Sequence, residues 1–322
     1  MPGVFLRVNI MNTAALKYFT QPKTFDKFPI SWNEVFGNKN KLVVEIGFGN
    51  GEFMAHSAMK DTQFNYIGFD TSITSCYKAQ VKLFDLGIEN ARIILDDARF
   101  CIRELFSQES IHKLVVNFPC PWPKAKQEDR RIFIYSFIDT MANVLKINGT
   151  VELVTDVQWY AEQVYEKFLS DECFYVDEIK TDFQREIKTR YEEKWEKMGR
   201  NKYMVSVHKK ASRSVQRLLE GSEDMPHKLV EKIDLSKAND LLERKFSCEE
   251  QTFIVKEFFY NHEENRYIFR VFSADGDYCQ QYYVKAVKRE DKYLVKLDST
   301  TIPFRTPAVK WSVLTIADEI SK

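Results

Sequence analysis

The 322-residue chain is poor in glycine, with 11 in all, about half the ordinary share. Its six cysteines (Cys76, Cys101, Cys120, Cys173, Cys248 and Cys279) include no C-x-x-C pair, and its five histidines show no ligand spacing. Neither a disulfide framework nor a metal site is encoded, and a reduced, cytoplasmic setting is expected. No stretch approaches the ~18 apolar residues of a membrane span. The opening residues, MPGVFLRVNIMNTAALKYF, lack a basic segment followed by an unbroken apolar run, so no membrane or targeting signal is read. An excess of one charge is missing as well: 47 Lys+Arg stand against 47 Asp+Glu, so net charge alone argues for no nucleic-acid partner. What is present is a core: 44% apolar and 14% aromatic residues exclude a disordered chain.

From residue 41 to about 208, short apolar runs alternate with helical patterns. The runs lie at 41–47, 65–70, 92–96, 113–118 and 150–155, and three of them are nearly continuous β-branched stretches, as strands buried on both faces are. Residues 72–86 and 131–145 have helical spacing between them. This alternation predicts an α/β fold with a doubly wound, mostly parallel sheet and ligands at the strands' carboxyl ends. The expected organisation is a lead-in over 1–40, a cofactor-binding domain over 41–210, a polar linker over 211–226 and a small α+β domain over 227–322. In that last domain a helix is expected over 228–245, with strands over 252–260, 267–274, 278–288 and 293–297. Asp275-Gly276 supplies a hairpin turn.

Three of the scarce glycines, Gly47, Gly49 and Gly51, fall within five residues, in Glu45-Ile-Gly-Phe-Gly-Asn-Gly, after one predicted strand and before a helix. Such glycines let the chain turn tightly and let backbone approach a ligand closely. Asp70 ends the next strand, where a carboxylate can grip ribose hydroxyls. Asp97-Ala98, after the third, adds an acceptor for an adenine amino group. A nicotinamide cofactor prefers G-x-G-x-x-G with its pyrophosphate on the helix N-terminus. Here the spacing is G-x-G-x-G, and Glu45 would repel a pyrophosphate while suiting an ammonium. S-adenosylmethionine is the cofactor favoured.

The fourth strand runs into Asn117-Phe-Pro-Cys120-Pro-Trp122-Pro-Lys124, followed by Lys126, Arg130 and Arg131. Three prolines in five residues stiffen this loop, and a tryptophan among basic residues suits a nucleic-acid platform, the alternative being a core tryptophan. Residues 180–217 carry 12 basic and 5 acidic side chains. Beside the 124–131 cluster, this predicts a phosphate-binding stripe masked by the overall neutrality.

The run EIGFGNGEF, then YIGFD, DDAR, NFPCPWPK with Arg130-Arg131 following, Thr155-Asp156, and Thr189-Arg190-Tyr191-Glu192-x-Lys-Trp resembles the tRNA (guanine-N7-)-methyltransferases over residues 25–210. The extension beyond resembles a long form of that family. The resemblance implies a Rossmann-like class I methyltransferase that moves the methyl of S-adenosylmethionine to N7 of a guanosine in the variable loop of tRNA, position 46. On matching positions it implies Glu45, Gly47, Gly49, Gly51, Asp70, Asp97, Ala98 and Asn117 at the cofactor. It implies Lys124, Asp156, Thr189, Arg190, Tyr191 and Glu192 at the guanine, and Lys126, Arg130 and Arg131 on the RNA; the basic run over 180–217 adds Arg200 and Lys202 as expected RNA contacts. Asp156 and Glu192 are the expected catalytic contacts, and the protein is expected to work as a monomer.

One residue departs from the family pattern: Cys120 stands where the family has an aspartate. Guanine N7 carries a lone pair and no proton, so its methylation calls for placement rather than a general base. Two alternatives follow from the departure. One is a tRNA- and cofactor-binding protein impaired in catalysis; the other is a cytosine-C5 RNA methyltransferase with Cys120 as nucleophile.

Overall fold

A computed structural model describes residues 13–219, 224–261 and 263–322. The chain divides into two units, described separately: residues up to 22 with 30–215, and residues 23–29 with 216–322.

In the first unit, strands and helices alternate as β1 (Lys41–Ile46), α2 (Glu52–Lys60), β2 (Phe64–Asp70), α3 (Ile73–Asp85), β3 (Ala91–Leu95), α4 (Ala98–Leu105), β4 (Ile111–Asn117), α5 (Tyr135–Val144), β5 (Leu145–Thr155) and α6 (Gln158–Leu169), after a short α1 (Trp32–Phe36). β6 (Phe174–Val176), β7 (Lys180–Thr181), α7 (Arg190–Lys197) and β8 (Tyr203–Lys209) complete it. The sheet order is β3-β2-β1-β4-β5-β8-β6, with β7 also on β8. Pairs among β1 to β5 are parallel, and β8 joins β5 antiparallel. The five expected strands are all present, and the reason is local: β1 and β2 each bury five consecutive residues, as strands covered by helices on both faces must. Ser72 and Asp97 start α3 and α4 by capping their first N–H groups. The order reverses between β1 and β4, so their carboxyl ends open a crevice there.

In the second unit, six antiparallel strands run β10-β11-β12-β13-β14-β9. They are β9 (His227–Val230), β10 (Lys245–Cys248), β11 (Gln251–Asn261), β12 (Arg266–Asp275), β13 (Tyr278–Arg289) and β14 (Lys292–Leu297), with α8 (Leu235–Asp240) and α9 (Pro307–Ile320). Phe253, Phe269, Tyr282 and Val284 pack with Val309, Val313, Ile316 and Ile320 of α9, and Tyr282 Oη meets Ser312 Oγ at 2.7 Å.

Three expectations change here. The helix over 228–245 is two short pieces: 227–230 pairs as an edge strand with β14, and α8 spans six residues. α9 was not foreseen, although Pro307 at its start and the Val309/Val313/Ile316/Ile320 spacing are helical signals. Residues 23–29, placed in the lead-in, cluster with the second unit, where the Phe28 and Phe304 rings lie 5.9 Å apart and Arg305 pairs with Asp26 at 3.2 Å. Residues 220–223 of the expected linker lie outside the described residues.

Candidate active site

A cavity of about 550 Å³ opens at the β1/β4 reversal, lined by Glu45, Gly47, Gly49, Phe53, Asn117 and Thr189 among others. Its floor is the turn after β1. Gly47, Gly49 and Gly51 all have positive φ (72°, 55° and 71°), a region in which a side chain is strained. At Gly51 space is also closed: an added Cβ would lie 2.7 Å from Ala79 Cβ.

Glu45 is buried at 4% exposure. Its Oε1 accepts from Asn117 Nδ2 at 3.2 Å, while its Oε2 is buried with no partner. Burial pushes its carboxyl up to about 7, against the pull of the Asn117 amide and the Arg185 charge. A buried carboxylate with a bare oxygen at a cavity wall is a receptor for a cationic donor. Asp70 closes the other side of the turn, its Oδ2 accepting from Gly49 N at 3.0 Å and its Oδ1 from Ser72 N at 2.8 Å. Each oxygen keeps a lone pair for a hydroxyl. Asp97 uses Oδ1 to cap α4, with Ala98 as the first helical residue, so Oδ2 is the oxygen left for a ligand. The three carboxylates have the chemistry for an ammonium, a ribose diol and an adenine amino group; Glu45 lines the cavity, while Asp70 at the end of β2 and Asp97 after β3 stand outside its lining.

The other half of the site is filled with internal bonds. Thr189 and Glu192 form a capping box at the start of α7, with Thr189 Oγ1 accepting from Glu192 N and Glu192 Oε2 accepting from Thr189 N. Glu192 is fully buried, and Arg185 donates to both its oxygens, through Nε to Oε1 at 3.1 Å and through Nη2 to Oε2. Arg185 also donates to Asn117 Oδ1 at 3.0 Å and to Glu152 Oε1 at 3.1 Å. Arg185 was not singled out in the sequence; its one signal was membership of the basic 180–217 run. Asp156 follows the end of β5, half-buried, and among the described residues its carboxylate has no partner. The side chains of Arg190 and Tyr191 lie outside the described residues.

The proline loop departs from expectation at Arg131. It is 4% exposed and donates to the carbonyls of Pro121 and Trp122 and to Gln163, with its guanidinium over the Trp159 ring. It clamps the loop from inside and presents no charge to RNA. Lys124, Lys126 and Arg130 are exposed, and Arg130 lies over the Trp122 ring. Trp122 is thus neither core nor a bare platform. Cys120 is exposed, and no Lys, Arg or His is hydrogen-bonded to its thiol among the described residues.

Part of the basic stripe over 180–217 is likewise consumed. Lys202 is 2% exposed and paired with Glu196 at 2.6 Å, Lys209 is fully buried against the Leu145 carbonyl, and Arg213 pairs with Asp139 and Asp171. Lys202 is therefore corrected from an RNA contact to a buried partner of acidic side chains. Arg200, stacked on Trp195, stays exposed, as do Lys194 and Lys210. A count of charges along the chain cannot separate the two sets, because it does not show burial and because Arg213 finds Asp139 and Asp171 outside the run.

Comparison with known proteins places these features. The family model described as "Putative methyltransferase" matches residues 39–205. A Thermotoga maritima protein named tRNA (guanine-N(7)-)-methyltransferase is 41% identical over 95% of this chain and 97% of its own length. One of the same name from Coprothermobacter proteolyticus is 32% identical over 94% of this chain and 93% of its own. A Streptococcus mutans protein of that name is 33% identical over 55% of this chain and 85% of its own.

Proposed function

The chain belongs to the tRNA (guanine-N(7)-)-methyltransferase family, and from that premise we propose how its residues divide the work of methylating tRNA guanine at N7 with S-adenosylmethionine. The target is guanosine 46 of the variable loop, and the protein acts as a cytoplasmic monomer without a metal. The observation that carries the reading is the buried, unpartnered Glu45 oxygen on the wall of a glycine-floored cavity.

Glu45 would take the donor's ammonium, Asp70 its ribose hydroxyls and Asp97 Oδ2 its adenine amino group, with the backbone of Gly47 to Gly51 close beneath. When bound, the donor supplies an electrophilic sulfonium methyl. The chain's own task is to place the base. Because N7 has a free lone pair, no proton has to leave before attack, which explains why Cys120 can replace a carboxylate here. Positive charge grows on the ring as N7 is alkylated, and carboxylates accepting from N1–H and the N2 amino group stabilise it while fixing the base in line. Asp156 and Glu192 have that chemistry, and Lys124, Lys126, Arg130 and Arg200 are among the exposed cations available for phosphates.

The test is mass mapping of the nucleosides in unmodified tRNA treated with the protein and S-adenosylmethionine. N7-methylguanosine at position 46 is expected. C5-methylcytidine would make Cys120 the nucleophile instead, and bound but unlabelled tRNA would leave a binding protein.

A further inference from the structure

Glu192 poses a problem for this division of work, since both its oxygens are already taken by Arg185. The bond pattern suggests the answer. A guanidinium offering Nε–H and Nη2–H to the two oxygens of a carboxylate presents the same pair of parallel donors as guanine does through N1–H and its N2 amino group. Like a bound base, this guanidinium also lies over an aromatic ring, that of Phe53, with 5.1 Å between its carbon and the ring centroid. Phe53 and Thr189 both line the cavity.

We propose that Arg185 is a stand-in for the substrate base, occupying the guanine seat on Glu192 and leaving it by exchange when guanine arrives. This rests on the assignment of Glu192 to the guanine. Removing a guanidinium from a buried carboxylate is ordinarily costly, because it strands both charges. Here each carboxylate has a second cation. Lys202 Nζ lies 3.6 Å from Glu192 Oε1, and Lys113 Nζ lies 2.8 Å from Glu152 Oε2. Arg185 already holds Glu152 through Nη1, so on release it keeps that partner while Glu192 keeps Lys202. Burial pushes the Glu152 carboxyl up, but Lys113 and then Arg185 outweigh it and hold it below the usual carboxylate range, so the waiting position stays charged.

The exchange selects the base. Guanine replaces both donors that Arg185 withdraws, whereas adenine replaces only one and sets its N1 lone pair against the other Glu192 oxygen. The same guanidinium donates to Asn117 Oδ1, and Asn117 donates to Glu45, so the seat is tied by two bonds to the cofactor carboxylate.

The experiment is equilibrium binding of unmodified tRNA to the full chain saturated with S-adenosylhomocysteine. If the seat is open in about a tenth to a third of wild-type molecules, Arg185→Met binds about three- to tenfold more tightly, although it has lost a positive charge. That gain should vanish on tRNA carrying inosine, which lacks the N2 amino group, at the modified position. Equal or weaker binding by the variant overturns the proposal and makes Arg185 a support for Glu192. If the variant does not melt cooperatively, the wild-type complex with tRNA decides. Guanine on Glu192 with Arg185 turned to Glu152 upholds the proposal, and Arg185 still on both Glu192 oxygens sinks it. Nucleoside mapping separates the failures: N7-methylguanosine made by a protein whose Arg185 never moves defeats this inference alone.

Discussion

The two halves of the proposed site have opposite electrostatic states. On the cofactor side, Glu45 has an oxygen with no partner and a carboxyl pushed up to about 7. On the base side, Glu192 accepts from Arg185 and Thr189 and has Lys202 nearby. The first half is incomplete and gains by binding a cation. The second is complete and can bind only by exchange. A site built this way takes the donor directly and admits a base only if it reproduces the bonds that it breaks.

The strongest way to break this contrast is Glu45→Gln, which keeps the shape and removes the charge. A hydrogen bond to a charged group is worth ~1.5–3 kcal/mol, so donor affinity should fall about 10- to 100-fold in titration calorimetry. Wild-type donor binding should release a proton below about pH 7 and weaken as pH falls through that value, whereas the variant should show neither. The sign for the unliganded protein is opposite. Its folded state holds the Glu45 proton more tightly than the unfolded chain does, so this group's stabilisation is full below pH 4.5 and is lost as pH rises through about 7. A melting temperature whose pH slope is the same in both proteins would show that Glu45 does not titrate there.

Gly51→Ala tests the floor of the incomplete half. Left-handed backbone costs ~1–2 kcal/mol and overpacking ~1–3 kcal/mol, so urea unfolding should show a loss of about 2–5 kcal/mol. Gly47→Ala, with positive φ and nothing within 4 Å of an added Cβ, should show only the smaller backbone part.

Arg131 and Lys126 sharpen the complete half. Arg131→Ala should destabilise by about 2 kcal/mol, because two loop carbonyls and Gln163 lose their donor. Lys126→Ala should leave the melting temperature unchanged, weaken tRNA binding about two- to threefold and lower the salt slope by about one. If both variants weakened tRNA equally and neither lost stability, Arg131 would belong with the RNA contacts after all.

How legible each half was follows from the same contrast. Glu45, Gly47, Gly49, Gly51 and Asp70 lie at the ends of two buried strands, where periodicity marks the element and position within it marks the residue's direction. Local pattern therefore reaches the cofactor side. The base side depends on which cation meets which anion. Arg185 joins Asn117, Glu152 and Glu192 from three elements, and Lys202 and Arg131 look as basic in the sequence as Lys126 and Arg200 do. The basic stripe is shorter than expected, at Lys202, Lys209 and Arg213, because a charge count along the chain says nothing about burial. The helix expected over 228–245 failed similarly: the stretch 227–230 found β14 to pair with and became the edge strand of the sheet.

The order of strands and helices in the first unit, the glycine turn, the carboxylates at the strand ends and the family itself were determined by the sequence alone, because each depends on residues near one another in the chain. The tertiary structure decided which charges remain for ligands. A charge is available only when no partner has neutralised it, and the folding of the sheet brings Asn117 and Glu152 to Arg185 while leaving Glu45 with a bare oxygen.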